Sequence, residues 1–231
     1  CDLLERTNID WRDVVYNDAA PFTSVDLQAS GATQGGFNYY VSGNIHSQKG
    51  IALSSDYKRY TLRANLEAKV NNWFKVGTNA SFAYEDMTEA VDGDYNTVTP
   101  ISASRFMLPY WSPYSATGGI ANVNDGTWLG TNVNPVEYQN NNPSDKNRWK
   151  VIASAYGEFH PISGLTIKTL GGVDFLDQRS NMFSMPSYLP NYGEGSVGRG
   201  FSRYTNITWS NTATYGFDIK EEHHFIVMLG Q

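Results

Sequence analysis

Residues able to do chemistry are thinly spread along this chain of 231 residues, and each cluster fails a structural requirement of the chemistry it suggests. Gly193-Glu194-Gly195-Ser196-Val197-Gly198 has the spacing of a dinucleotide-binding glycine loop. Such a loop works only between a strand and a helix N-terminus, where backbone N–H groups meet the pyrophosphate, and no helical periodicity follows Gly198. Asp92, Asp94 and Asn96 occupy the first three ligand positions of a calcium loop, with Asp86 and Glu89 adding charge nearby. Thr97 stands where that loop needs glycine and Ala103 where it needs a bidentate acid, which excludes an EF-hand. What remains is a looser Ca²⁺ site or a solvated acidic loop. His223 and His224 are adjacent, and adjacent side chains on a strand point to opposite faces, so they cannot share a metal. Asn79-Ala80-Ser81 and Asn206-Ile207-Thr208 match glycosylation sequons but fall inside strand patterns. Cys1 is the only cysteine, which rules out an intrachain disulfide and a thiolate metal site. No nucleophile elbow or zinc-protease helix is present, and carboxylate pairs do not stand out from ordinary polar strand faces. The sequence predicts no catalytic residue, no enzyme and no cofactor beyond that loop calcium.

Two groups of residues carry a positive signal. Between about residues 87 and 147 lie Tyr95, Phe106, Tyr110, Trp111, Tyr114, Trp128 and Tyr138, interleaved with Asn122, Asn124, Asp125 and Asn132. Aromatic faces pack on apolar faces of sugars or peptides while amides and carboxylates bond their polar groups. Tyr110, Trp111, Tyr114, Trp128 and Tyr138 are therefore the ligand-binding candidates; the alternative is that these rings pack the loop onto itself or onto a partner. The second group is Arg59, Arg63, Glu67 and Lys69, which share one face of a strand.

That strand defines the fold. Tyr60, Leu62, Ala64, Leu66, Ala68 and Val70 alternate with Arg59, Thr61, Arg63, Asn65, Glu67 and Lys69, so one face is apolar and the other polar. Ordinary strands stop near about six residues, whereas about ten tilted residues suit a transmembrane barrel. The same beat recurs in eight segments, giving an all-β, antiparallel, up-and-down reading. It marks Val25 to Ala29, Phe37 to Ile45, Phe74 to Tyr84, Trp149 to Phe159, Leu165 to Phe175, Ile207 to Ile219 and Phe225 to Leu229. Asn71-Asn72 reads as a two-residue hairpin turn of the primed type, because asparagine tolerates positive φ. Connections near 31, 71, 161 and 221 are short and those near 47, 87 and 177 long, so short turns face one side and long loops the other. Trp73, Phe74, Tyr84, Trp149 and Phe159, near strand ends, suit interfacial aromatic belts.

Composition agrees. Aromatic residues make up 14% and charged residues only 17%, with 21 glycines, which is β-rich and turn-rich material. A net charge of −6 with scattered basic residues lacks the footprint of a nucleic-acid binder. No apolar run is long enough for a helical membrane span, which says little about barrels, whose strands are half polar. No leader sequence is recognisable, so export is inferred from the fold.

Several segments resemble one family. Asn8-Ile9-Asp10-Trp11-Arg12-Asp13, Ala29-Ser30-Gly31-Ala32-Thr33, Tyr39-Tyr40-Val41-Ser42-Gly43, Lys49-Gly50-Ile51 and Asp56-Tyr57-Lys58-Arg59-Tyr60 are similar to the early barrel of SusC/RagA-family TonB-dependent transporters. Arg63-Ala64-Asn65-Leu66, Asn72-Trp73-Phe74-Lys75-Val76-Gly77 and Ser81-Phe82-Ala83-Tyr84-Glu85 continue the resemblance, which is dense from about residue 8 to 86 and thinner beyond. It implies a 22-stranded outer-membrane barrel with an N-terminal plug, energised by TonB and lidded by a SusD-like surface lipoprotein, importing oligosaccharides or peptides. Such a plug is absent from these residues.

An open set of strands in lipid would leave two unpaired edges, so the expectation is a sector of a larger barrel. Residues 1–21 are expected to form a lead-in. Residues 22–231 should form the partial barrel, with long extracellular loops at 87–147 and 177–202. Arg59, Arg63, Glu67 and Lys69 then face the lumen or plug, because charges facing lipid at midplane cost about 2–4 kcal/mol each. The rival reading is a soluble or surface carbohydrate-binding β-protein, which would show polar outward faces on both of its sheets.

Overall fold

The computed structural model describes residues 8–90, 98–130, 133–185, 195–220 and 222–231. Among these residues eight strands follow one another in a single sheet: β1 (Phe22–Ala32), β2 (Phe37–Lys49), β3 (Asp56–Lys69), β4 (Phe74–Glu89), β5 (Ser144–Phe159), β6 (Leu165–Ser184), β7 (Ser196–Ile219) and β8 (His223–Gly230). Every neighbour is antiparallel and sequential, and β1 and β8 are edges, so the described sheet is open.

Register is what turns the sequence alternation into two faces. Ala29, Val41, Ala64, Ala80, Ala153, Val173 and Ile207 stand opposite one another across seven strands. The next row, Gln28, Ser42, Arg63, Ser81, Ile152, Asp174 and Asn206, is polar except for Ile152. A slip of one residue on any strand would interleave the two, so the pattern locks the pairing.

The strands run past the ends of their alternation. β6 and β7 pair from Leu165↔Tyr215 to Ser184↔Ser196, carrying the ladder well into the stretch expected to be a loop from 177 to 202. Beyond the apolar band apolar side chains thin out to Phe183, Val197 and Phe201 on one face and Met182 on the other, so hydrophobic alternation stops reporting while backbone pairing continues. The turn after β3 also differs from expectation. Among the described residues only Ser54 and Lys220 have positive φ without being glycine, so Asn71 and Asn72 do not form a primed turn. Instead the Asn71 side chain accepts the Trp73 N–H at 3.0 Å and the Asn71 and Val70 N–H groups both donate to the Phe74 carbonyl. At the β5–β6 turn, Gly164 has φ +82° and sits against the Gly216 carbonyl, a place no side chain fits.

Among the described residues three short helices lie outside the sheet: α1 (Trp11–Val15), α2 (Pro100–Phe106) and α3 (Pro135–Asn141). Each is capped by sequence: Asp10, Thr99 and Asn134 accept N–H groups of the first turn, and α2 and α3 carry proline near their start. The buried apolar core sits here. Trp11, Val15, Ala103, Met107, Ala121 and Trp128 pack together, so α1 is clamped by the long β4–β5 connection. Backbone bonds from Asn17 to Ile51 and from Leu53 to Val15 tie the same segment to the β2–β3 connection. The sheet's apolar face, by contrast, is open: Leu27 is 74%, Ile207 76% and Trp209 70% exposed. No described helix is long and apolar enough to cross a membrane.

Candidate functional site

The polar face carries a connected set of charged groups. Arg59, Arg63, Glu67 and Lys69 all lie on it, by register with Glu85, Ser81, Gly77 and Lys75. Glu67 is fully engaged: Tyr156 Oη donates to it at 2.7 Å, Lys75 Nζ lies at 3.0 Å, and Asn38 Nδ2 donates at 3.2 Å. Next to it Lys69, Lys75, Glu158 and Lys168 form one cross-strand row, with the Lys168 ammonium 4.3 Å from the Tyr156 ring centroid. Towards the other end Arg148 bonds Glu85 at 3.1 Å and Gln178 at 2.7 Å, while Tyr57 Oη donates to Glu85. Arg59 and Arg63 instead border a concavity of about 350 Å³ with Asp26, Gln28, Tyr40 and Asn44. Neither arginine has an ion-pair partner among the described residues. The surface offers hydrogen bonds and charge to a polar occupant.

The apolar face is framed by two sets of aromatic rings. At the long-loop end Tyr60 stacks on Tyr84 at 6.3 Å between centroids and Tyr84 meets Trp149 at 4.4 Å. At the short-turn end Phe74 stacks on Phe159 at 4.5 Å with Trp73 alongside, and the series continues through Tyr215, Phe217 and Phe225. From Phe74 to Tyr84 the strand advances about 33 Å at ~3.3 Å per residue, which at a tilt near 40° is an apolar band about 25 Å tall.

The five loop aromatics do not converge on one cavity. Trp128 is buried in the loop core, edge-on to Trp11 at 6.0 Å and to Trp111 at 6.1 Å, and Tyr110 packs edge-on against Trp111 at 5.8 Å. Tyr114 is exposed and pairs its backbone with Ile120. Tyr138 packs on Val98 and Val133, beside a separate concavity of about 430 Å³ shared with Glu89, Asn142 and Phe183. Of the other candidates, Phe106 is exposed. Tyr95 and Asn132 lie outside the described residues, as do the loop calcium ligands Asp92, Asp94 and Asn96.

The loop amides are used internally. Asn122 Oδ1 accepts from the Asn124 N–H and its Nδ2 donates to Glu137, while Asp125 accepts from the Thr127 N–H at 2.9 Å and from its hydroxyl. Those bonds from Thr127 hold the Asp125 carboxyl below its ordinary range. Glu137, on α3, is the opposite case: burial, reinforced by the charge of Asp125 and opposed by the Asn122 bond, pushes it up to about 7. Among the described residues its Oε2 has no hydrogen-bond partner. Neither Glu137 nor Trp11 stands out in the sequence as a site residue, since nothing local marks a residue whose burial depends on a distant segment.

The remaining motifs carry no site. No group of three or more His, Cys, Asp or Glu is placed to hold a metal among the described residues. His224 bonds Asp218 at 2.5 Å on one face of β8, and His223 lies towards Phe225 on the other. Gly193 and Glu194 lie outside the described residues, and Ser196 to Gly198 open β7, with no helix after them.

No family model matches the chain. It is 26% identical over 229 residues to the TonB-dependent receptor P26 of Formosa agariphila, covering 96% of this chain and 22% of that receptor. It is 26% identical over 213 residues to TonB-dependent receptor P3 of the same organism, covering 90% and 20%. Among solved structures it superposes on the RagAB peptide transporter with a TM-score of 0.84 at 27% identity, over 97% of this chain and 25% of that one. The open-open state of the RagAB peptide importer gives a TM-score of 0.81 at 28% identity. The chain is thus homologous to RagAB, a SusC/RagA-family TonB-dependent transporter, and spans about a fifth to a quarter of the length of these relatives.

Proposed function

We propose that this chain is a sector of the wall of a TonB-dependent nutrient importer in the bacterial outer membrane, its apolar face against lipid and its polar face towards the lumen. The observation that carries the reading is the apolar band framed by aromatic rings at both ends, on a sheet whose other face is charged. Such a surface is unstable in water, since exposed apolar patches of this extent require a covering phase. A bilayer about 30 Å thick supplies one. Homology to the transporters points the same way.

In this arrangement closure comes from further strands pairing with the edges of β1 and β8, because lipid tolerates no open edge. The lumen-facing candidates are Arg59, Arg63, Glu67 and Lys69. Glu67 is held by three partners and stiffens the wall; Arg59 and Arg63 are available to a plug or a passing polar solute. Residues 8–21 and the long β4–β5 connection form an extracellular cap, where Tyr110 and Tyr114 offer exposed rings to an oligosaccharide or peptide or to a SusD-like lipoprotein. TonB would act through a plug rather than through these strands. A peptide cargo rests on the RagAB comparison and an oligosaccharide on the family resemblance.

The test is intact mass and peptide coverage of the detergent-extracted protein. A species near 100 kDa whose peptides include this sequence and an upstream plug supports the reading. A monodisperse, water-soluble species of 25.8 kDa overturns it in favour of a self-contained β-domain.

A further inference from the structure

Above the apolar band, β6 and β7 carry an arrangement that neither the transport reading nor the polar face uses. Counting along the outward positions, Phe175 on β6 and its partner Thr205 on β7 are followed towards the long loops by Asp177, Arg179 and Asn181 and by Arg203, Phe201 and Arg199. Asp177 stands opposite Arg203, Arg179 opposite Phe201, and Asn181 opposite Arg199. Arg179 is therefore diagonal to both Arg199 and Arg203, a separation of about 7–8 Å between backbones that long side chains readily close.

The patch is built rather than incidental. The Asp177 carboxylate, only 7% exposed, accepts from Arg203 Nη2 at 2.7 Å and from Arg179 Nε at 3.3 Å, while those arginines stay 53% and 68% exposed. The Arg203 guanidinium lies 5.2 Å from the Phe201 ring centroid and 5.7 Å from that of Phe175. The carboxylate thus engages two guanidiniums, the two rings flank that of Arg203, and Arg199 has no ion-pair partner among the described residues. Three guanidiniums against one carboxylate leave two positive charges facing outward. The nearest other carboxylate on this face by register, Asp145 opposite Asn181, accepts from the Thr88 hydroxyl at 3.1 Å. On β3 and β4 the outward positions of the same rows hold Lys58 opposite Asp86, which offset each other, and Asp56, three strands from Asn181 in the row of Arg199.

We propose that Arg179, Arg199 and Arg203 form a seat for the phosphate of an outer-leaflet lipid headgroup. The proposal rests on the membrane reading above, which puts this face against lipid. Guanidinium forks match phosphate oxygens in pairs of parallel hydrogen bonds. Basic residues at the edge of a membrane-embedded apolar surface bind anionic headgroups, each raising affinity about five-fold. The acyl chains of a lipid held here descend over Phe175, Val173 and Ile207, so charge and apolar surface meet in the order in which a lipid presents them.

The experiment uses the full-length transporter in nanodiscs of phosphatidylcholine with a minority of diphosphorylated lipid A, and native mass spectrometry of the ejected complex counts the lipid A retained. The double variant Arg179→Gln with Arg199→Gln leaves the Asp177–Arg203 pair intact. Retention should fall roughly 25-fold in this variant, from about five-fold per arginine, and should fall as far for the wild type when dephosphorylated lipid A replaces the probe. A variant that remains inserted and heat-modifiable on gels yet retains lipid A like the wild type overturns the headgroup seat and leaves the membrane reading standing. A wild-type protein that partitions into water without detergent overturns both.

Discussion

Tyr156 lies flat across Gly77, its neighbour on the adjacent strand, in a space that the Cβ of any other residue would fill. The gap lets the ring span β4, so that its hydroxyl reaches Glu67 on β3 at 2.7 Å. A glycine on one strand thereby couples three strands through one side chain.

Gly77→Ala should displace the ring and cost about 1–3 kcal/mol, the usual penalty of overpacking. Tyr156→Phe keeps the ring and loses only the bond to Glu67, which Lys75 and Asn38 still hold; it should cost about 1 kcal/mol. Thermal unfolding of the detergent-solubilised protein reads both. A Gly77→Ala variant as stable as the parent would show that the ring has another place to go.

The two faces of β3 should respond oppositely to the same charge. Leu62→Arg, in the middle of the apolar band, should lower stability by about 2–4 kcal/mol in lipid, and Thr61→Arg, one residue away on the polar face, should be close to neutral. Unfolding from bilayers in guanidinium compares them; equal losses would contradict the assignment of faces.

Trp128→Ala empties the centre of the cap formed by residues 8–21 and the β4–β5 connection, where Trp11 and Trp111 meet. A loss of about 3–5 kcal/mol is expected for a buried tryptophan, confined to the cap because the sheet's ladders do not depend on it. Limited proteolysis should then cut between residues 98 and 130 while the strands stay protected. Global unfolding instead would mean that the cap supports the sheet.

Glu137 makes the cap sensitive to pH. Its folded-state pKa, about 7, lies above the ordinary value of 4.5, so the folded cap holds the proton more tightly than the opened one. The stabilisation is present in full below about pH 4.5 and is lost as the pH rises towards 7, beyond which stability is level. Amide exchange across residues 122–137 should be slower at pH 5 than at pH 8. Glu137→Gln should remove that difference after correction for intrinsic exchange; a difference that persists in the variant assigns it to another group.

Much of this architecture is legible in the residues alone because period-two alternation is a local consequence of strand geometry: successive side chains must point to opposite faces. Arg59, Arg63, Glu67 and Lys69 fall on one face for that reason, and Leu62, Leu66 and their neighbours on the other. The strand ends beyond Asp177 and before Arg203 are not legible, since apolar side chains are too sparse there for an alternation to mark a ladder that hydrogen bonding continues. Nor is the role of the loop aromatics. Trp128 and Tyr114 look alike in sequence, and only the arrival of Trp11, whose Nε1 donates to the Leu108 carbonyl 97 positions away at 3.1 Å, buries one and leaves the other exposed. Alternation is set between adjacent residues, whereas burial is set by whatever the fold brings from elsewhere; the first is written in the chain's own spacing, and the second is decided when distant segments meet.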